Sequence, residues 1–163
     1  MKRAAVLGVL VVAAFGRLLL AADAVRPAGP YDPSADGWGQ VKAAAAGAAS
    51  DGKRVLVIVG GNWCTWCRAL DRLMGEDAAL KAEVAAHYEL VHLNWSKENK
   101  NEAAMAKLGH PDTLGFPAFV VVSSKLKVLH LQESGAFENP DHSKPGHDPS
   151  KLLAFLQAWD GSR

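Results

Sequence analysis

Val55-Leu56-Val57-Ile58-Val59-Gly60-Gly61-Asn62-Trp63-Cys64-Thr65-Trp66-Cys67 is the stretch on which the fold turns. Its first five residues form a continuous apolar run, mostly β-branched, with Asp51-Gly52-Lys53 as a turn before it and Gly60-Gly61 after it. Such a run predicts a strand buried on both faces. Beyond Cys67, the residues Leu70, Leu73 and Met74 recur at helical spacing as far as about Gly75. The two cysteines therefore fall where a strand gives way to a helix.

That placement carries chemistry. The first turn of a helix leaves backbone N–H groups unpaired, and the positive end of its dipole favours an anion. A thiolate is such an anion, and in this setting a cysteine pKa can fall to roughly 3.5–7.5. Arg68 adds a positive charge next to the motif. Cys64 comes first and is expected to be the more exposed, hence the attacking thiol. Cys67, one turn further in, resolves the mixed disulfide. Two other readings compete. A structural disulfide between residues three apart removes little entropy from the unfolded chain. A metal site would need more ligands, and His142 and His147, spaced His-x4-His, are the candidates to complete a Cys2His2 set. They stand far along the chain in a loop-like segment, and the strand–motif–helix context favours redox chemistry, with no metal.

Outward from the motif, Trp38 to Ser50 is alanine-rich and predicts a helix. Asp77 can cap a further helix running to about His87, and Tyr88 to Asn94 reads as a second strand. Glu102 to Leu108 predicts a short helix ended by Gly109. Ala118 to Val122 is a third strand. Val128 to Leu131 is a fourth, close enough across Ser123-Ser124-Lys125 to form an antiparallel hairpin. Glu133 to Pro149 is rich in Pro, Gly, Asn, Asp and His and reads as a loop. Ser150 then caps a last amphipathic helix through Leu152, Leu153, Phe155, Leu156 and Trp159. This alternation predicts an α/β fold, a central mixed four-stranded sheet flanked by helices on both faces.

With Gly115-Phe116-Pro117 standing before the third strand, the chain resembles the thioredoxin superfamily. Gly61-Asn62-Trp63-Cys64 and Cys67-Arg68-Ala69-Leu70-Asp71 resemble more closely an exported bacterial thioredoxin-like family with a WCxxC motif. The resemblance covers roughly Gly52 to Trp159. It implies catalytic Cys64 and Cys67, a cis Pro117 beside the active disulfide, and Phe116 presenting backbone to an extended substrate. It also implies protein thiols or disulfides as partners, fed by an upstream membrane or periplasmic redox partner, with no organic cofactor. Trp63 and Trp66 flank Cys64 in sequence and are candidates for an apolar platform under the partner. Two departures stand out. Many thioredoxins carry a buried acid on the strand before the motif, and the matching position here is Ile58. Asp71 shares a helix face with Cys67, though pairing with Arg68 or Arg72 is its simpler role. Trp66 also replaces the usual proline between the cysteines. A thioredoxin-fold module that binds copper or zinc through the same cysteines, or an adaptor, is the alternative.

The remaining bulk properties fit one domain. The chain has 163 residues, 49% of them hydrophobic and 21% charged, an ordinary globular balance. A formal charge of +1 with no basic run gives no reason to expect nucleic acid as partner. Met1-Lys2-Arg3 opens a basic start to an apolar stretch, and Ala22 and Ala24 supply the small residues of a signal-peptidase site. A membrane span needs about 20 apolar residues in a row, and Arg17 interrupts this one. An uncleaved anchor with Arg17 near an interface is the rival reading. The expected organisation is a signal peptide over 1–24, a linker or extended arm over 25–36 and the thioredoxin-like domain over 37–163. Export, a monomeric state and no membrane span after cleavage are the corresponding expectations.

Overall fold

The computed structural model describes residues 29–140 and 146–162. The expected signal peptide, the start of the arm and His142 lie outside the described residues. Strand β1 (Arg54–Gly60) is central. It pairs in parallel with β2 (Tyr88–Asn94) and antiparallel with β3 (Ala118–Val122), which pairs antiparallel with β4 (Val128–Glu133). The sheet order is β2-β1-β3-β4, a mixed four-stranded sheet. Among the described residues five α-helices accompany it: α1 (Gly37–Asp51), α2 (Thr65–Glu76), α3 (Ala78–His87), α4 (Glu102–Lys107) and α5 (Pro149–Ala158).

Strand alternation sorts the core into two layers. Val55, Val57 and Val59 of β1 pack with Val41 and Ala45 of α1 and Met105 of α4. Leu56 and Ile58 point the other way, onto Leu70 and Met74 of α2, Leu80 of α3, and Leu152 and Leu156 of α5. The run is apolar throughout because both of its faces are covered, as the sequence predicts. The register then builds one functional edge. Gly60 stands opposite Asn94, and Val59 opposite Ala118, so the ends of β1 and β2 meet the start of β3. Ligand sites in open α/β sheets favour such an edge.

Helix ends follow local chemistry. Gly52, at φ 69°, closes α1 in the left-handed region, and its N–H donates to the Ala48 carbonyl. The Asp77 carboxylate accepts from the Ala79 and Leu80 amides and starts α3. Asp148, not Ser150, caps α5, accepting from the Ser150 amide at 2.8 Å with Pro149 as the first helical residue. Proline at that position identifies the residue before it as the cap.

The described residues of the segment expected as a loop from Glu133 carry more regular structure than their composition suggests. Strand β4 continues to Glu133, whose carboxylate accepts from the Gly135 and Ala136 amides and caps a 3-10 turn over Ser134–Phe137. Phe137 is buried, and an isolated bridge joins Glu138 to His147. One aromatic anchor in the core holds residues that carry no periodic pattern of their own.

Candidate active site

The turn leaving β1 delivers the cysteines. The Cys64 amide donates to the Gly61 carbonyl at 3.0 Å, and Cys64 adopts extended backbone as the N-cap of α2. Its sulfur accepts from the Cys67 amide at 3.1 Å, so one of the orphan donors of the helix start already points at it. Cys64 and Cys67 are joined as a disulfide, with Cα atoms 5.2 Å apart. Cys64 is 5% exposed and Cys67 not at all, the order of access the sequence predicts. The first turn of α2 carries no acid to oppose a thiolate, and Arg68 is exposed beside it.

Opposite the sulfurs, the Phe116–Pro117 peptide bond is cis. The Phe116 carbonyl oxygen lies 3.8 Å from Cys64 Sγ. Trp63, 54% exposed, donates its indole N–H to the Trp95 carbonyl at 2.8 Å. Its ring meets Phe116 edge-on at 5.5 Å, and Trp95 packs on Phe116 at 4.9 Å. An open cleft lined by Trp63, Cys64, Thr65, Trp66 and Phe116 continues into a groove between Trp63 and Trp95, rimmed by Lys97 and Glu98. Trp63, Phe116 and Cys64 thus come together as expected. Trp66 borders the cleft but turns its ring against His147, edge-on at 5.4 Å. Sequence reasoning missed Trp95, although it directly follows β2 at the sheet edge where β1 delivers the motif.

Behind the disulfide the described part of the arm is docked. Tyr31 is wholly buried and packs with Cys64 and Cys67. Its amide donates to Asn62 Oδ1 at 3.2 Å, and Asn62 Nδ2 donates back to the Tyr31 carbonyl at 2.7 Å. Asn99 Nδ2 donates to the carbonyls of Pro33 and Ala35. Ile58, where an acid was the alternative, packs in the apolar layer against α2. Asp71 does not pair with Arg68 or Arg72 as expected: its carboxylate lies 3.3 Å from His92 Nε2. The His92 ring in turn stands edge-on to Tyr31 at 5.3 Å.

Two histidines near the site have their pKa values lowered. Burial pushes the pKa of His92 down, with the Asp71 charge opposing it. Burial does the same to His147, whose two ring nitrogens have no hydrogen-bond partner among the described residues, with Glu138 opposing. A histidine whose folded pKa is depressed binds more protons when unfolded, so it costs stability as pH falls below its ordinary value of 6.5. Urea unfolding at a series of pH values should therefore show stability flat above about pH 7 and declining toward pH 5. His147→Phe should flatten that decline, and an equally steep decline in the variant would remove His147 from the account.

Among the described residues, the group of His, Asp and Glu side chains close enough to hold an ion is Glu83, His87 and Asp160, which includes neither cysteine. His147, the described member of the His pair in the rival metal reading, faces Trp66.

A disulfide capping the helix after the central strand, opposite a cis proline, defines a thioredoxin-like dithiol–disulfide protein. The family described as Thioredoxin-like matches residues 37–124, and the chain belongs to it. A solved structure described as a disulphide isomerase from Xylella fastidiosa Temecula1 is 33% identical, at a TM-score of 0.66. The match covers 79% of this chain and 95% of that one. A structure described as DsbH Oxidoreductase shares the fold at 18% identity and a TM-score of 0.51, covering 74% of this chain and 81% of that one. No curated protein sequence matches the chain.

Proposed function

We propose that the protein is an exported thiol–disulfide oxidoreductase that exchanges disulfides with protein partners through Cys64 and Cys67. The observation that carries this reading is the disulfide at the start of α2, with Cys64 opening into an aromatic cleft and Cys67 closed beneath it. In the reducing direction, the Cys64 thiolate attacks a partner disulfide and one partner sulfur leaves as a thiolate. Cys67 then attacks Cys64, the second partner sulfur leaves, and two electrons have moved to the partner. The Phe116 carbonyl and the Trp63 ring flank the sulfur that would be attacked, a place for an extended partner to lie along. Export rests on the basic, apolar start of the chain and its Ala22 and Ala24. Among the described residues, no helix is long and apolar enough to cross a membrane.

Equilibration with glutathione tests the couple and gives its direction. A potential near roughly −270 mV would make the protein a reductant, and one near roughly −120 mV an oxidant. Cys67→Ser should accumulate a covalent adduct with its partner, released by excess thiol. A disulfide that does not exchange reversibly, together with no trapped adduct from a competent periplasmic extract, would sink the reading.

A further inference from the structure

The Tyr31 hydroxyl is buried and, among the described residues, has no hydrogen-bond partner while the cysteines are joined. An unpaired buried hydroxyl costs about 1–3 kcal/mol of desolvation, so such a group calls for an explanation. Its position supplies one. A Cβ added at Gly60 would fall 2.6 Å from Cys67 Sγ and 2.9 Å from the Tyr31 hydroxyl oxygen. Both atoms border the one small space that glycine leaves open, and any side chain there would part them. The reciprocal Asn62 bonds fix the Tyr31 backbone, and His92, steadied by Asp71, borders its ring.

We propose that Tyr31 is a further catalytic residue, whose hydroxyl donates a hydrogen bond to the Cys67 sulfur once the Cys64–Cys67 bond opens. The inference rests on the redox reading above. When a reductant thiolate attacks Cys64, the S–S bond breaks, a mixed disulfide forms at Cys64, and the bonding pair leaves on Cys67. A second thiolate of the same reductant releases Cys64. The two reductant sulfurs depart joined, Cys64 takes up a proton from solvent in the open cleft, and Cys67 is left as the thiolate. The thiolate on Cys67 is thus born in a site closed to water, where an unsolvated charge is expensive. A donor waiting there stabilises the leaving group, and a better leaving thiolate speeds exchange. In reverse, the same bond keeps Cys67 ionised for its attack on Cys64. Burial, reinforced by the Asp71 charge, pushes the phenol pKa up, so the hydroxyl keeps the proton it donates. The orphan hydroxyl of the disulfide form and the orphan thiolate of the open form satisfy one another.

Tyr31→Phe keeps the ring and removes the donor. In a Cys64→Ser background, where Cys67 is the one thiol, its ultraviolet thiolate titration should move up by about one unit, a tenfold change in proton affinity. With both cysteines present, the glutathione equilibrium should shift about tenfold toward the disulfide, which is about 30 mV more negative. A measurement on the native chain needs no variant. The protein has two tyrosines, and Tyr88 donates its hydroxyl to the Leu156 carbonyl at 2.7 Å. With tyrosine labelled at the ring carbon bearing oxygen, reduction should shift the Tyr31 resonance and leave Tyr88 in place. An unmoved Cys67 titration in the phenylalanine variant, or an unmoved Tyr31 resonance on reduction, overturns the assignment. If native protein exchanges with glutathione while those signals stay fixed, this inference alone falls. If it does not exchange at all, the redox reading falls with it.

Discussion

Cys64→Ser reduces the rate of protein-disulfide reduction to background, whereas Cys67→Ser completes the first half of the reaction and stops. This asymmetry follows first from access. Cys67 is wholly enclosed by Tyr31, the turn of α2 and Gly60. A partner cannot place a sulfur in line with it. Cys64, though 5% exposed, lines an open cleft and carries the amide of Cys67 at 3.1 Å. Serine at Cys64 keeps the N-cap hydrogen bond, since hydroxyls are good caps, so the helix should lose little stability. The nucleophile is lost while the scaffold stays. Glutathione-driven reduction of a protein disulfide, followed for each variant beside its unfolding curve, checks both halves. Activity in Cys64→Ser above about a tenth of the native rate would show that Cys67 becomes reachable through local opening, which the packing here does not predict.

How far the sequence led depended on how local each signal was. Val55–Val59 read as a doubly buried strand because the apolar run is short, mostly β-branched and bounded by turns, and the structure covers both faces. The Trp-Cys-x-x-Cys placement was legible because neighbouring residues carry it, whereas the cis bond before Pro117 was expected only from the family resemblance. The arm was not. Residues 25–36 show prolines, glycines and little apolar content, and one tyrosine among them makes no pattern. Tyr31 is buried by partners far away in sequence: Asn62, Gly60, His92 and the cysteines. Trp95 was missed for the same reason, since its meaning comes from lying across the sheet edge from Trp63 and Phe116. The cap of α5 is a different case. Both Asp148 and Ser150 are good caps, and Pro149 between them held the deciding information.

The apparent gap left by Ile58 also has a physical answer. An acid there would sit among Leu70, Met74 and Phe119, and the layer is apolar instead. The polar groups near Cys67 arrive from outside that strand: Tyr31 from the arm, His92 from β2 and Asp71 from α2. Ile58 and His92 stand opposite each other in register, so the histidine reaches the same face of the sheet from the neighbouring strand.

Phe119→Ala is the substitution expected to cost the fold most, about 3–5 kcal/mol from a total of about 5–15. Phe119 is fully buried on β3 and stands opposite Ile58 of β1. Its ring meets Phe137 edge-on at 5.3 Å and Phe155 at 5.8 Å, and those two pack on each other at 5.1 Å. This one side chain therefore ties the sheet to α5 and to the 3-10 turn that ends the β4 segment. Alanine leaves a void that three separate elements would have to move together to fill, which places the cost toward the upper end of the range. Edge-to-face pairs add about 0.5–1.5 kcal/mol beyond buried area, and two of them are lost. The urea midpoint should fall sharply with an unchanged slope, and a loss under about 1.5 kcal/mol would mean that the aromatic trio is not the anchor described. The redox couple should be almost indifferent. Phe119 belongs to the layer facing α2, α3 and α5, whereas the sulfurs pack with Tyr31, Trp66 and Phe116 at the sheet edge. A folded Phe119→Ala protein should therefore keep the native glutathione equilibrium. A potential that moved with stability would show the disulfide coupled to the whole core, and not to its immediate shell.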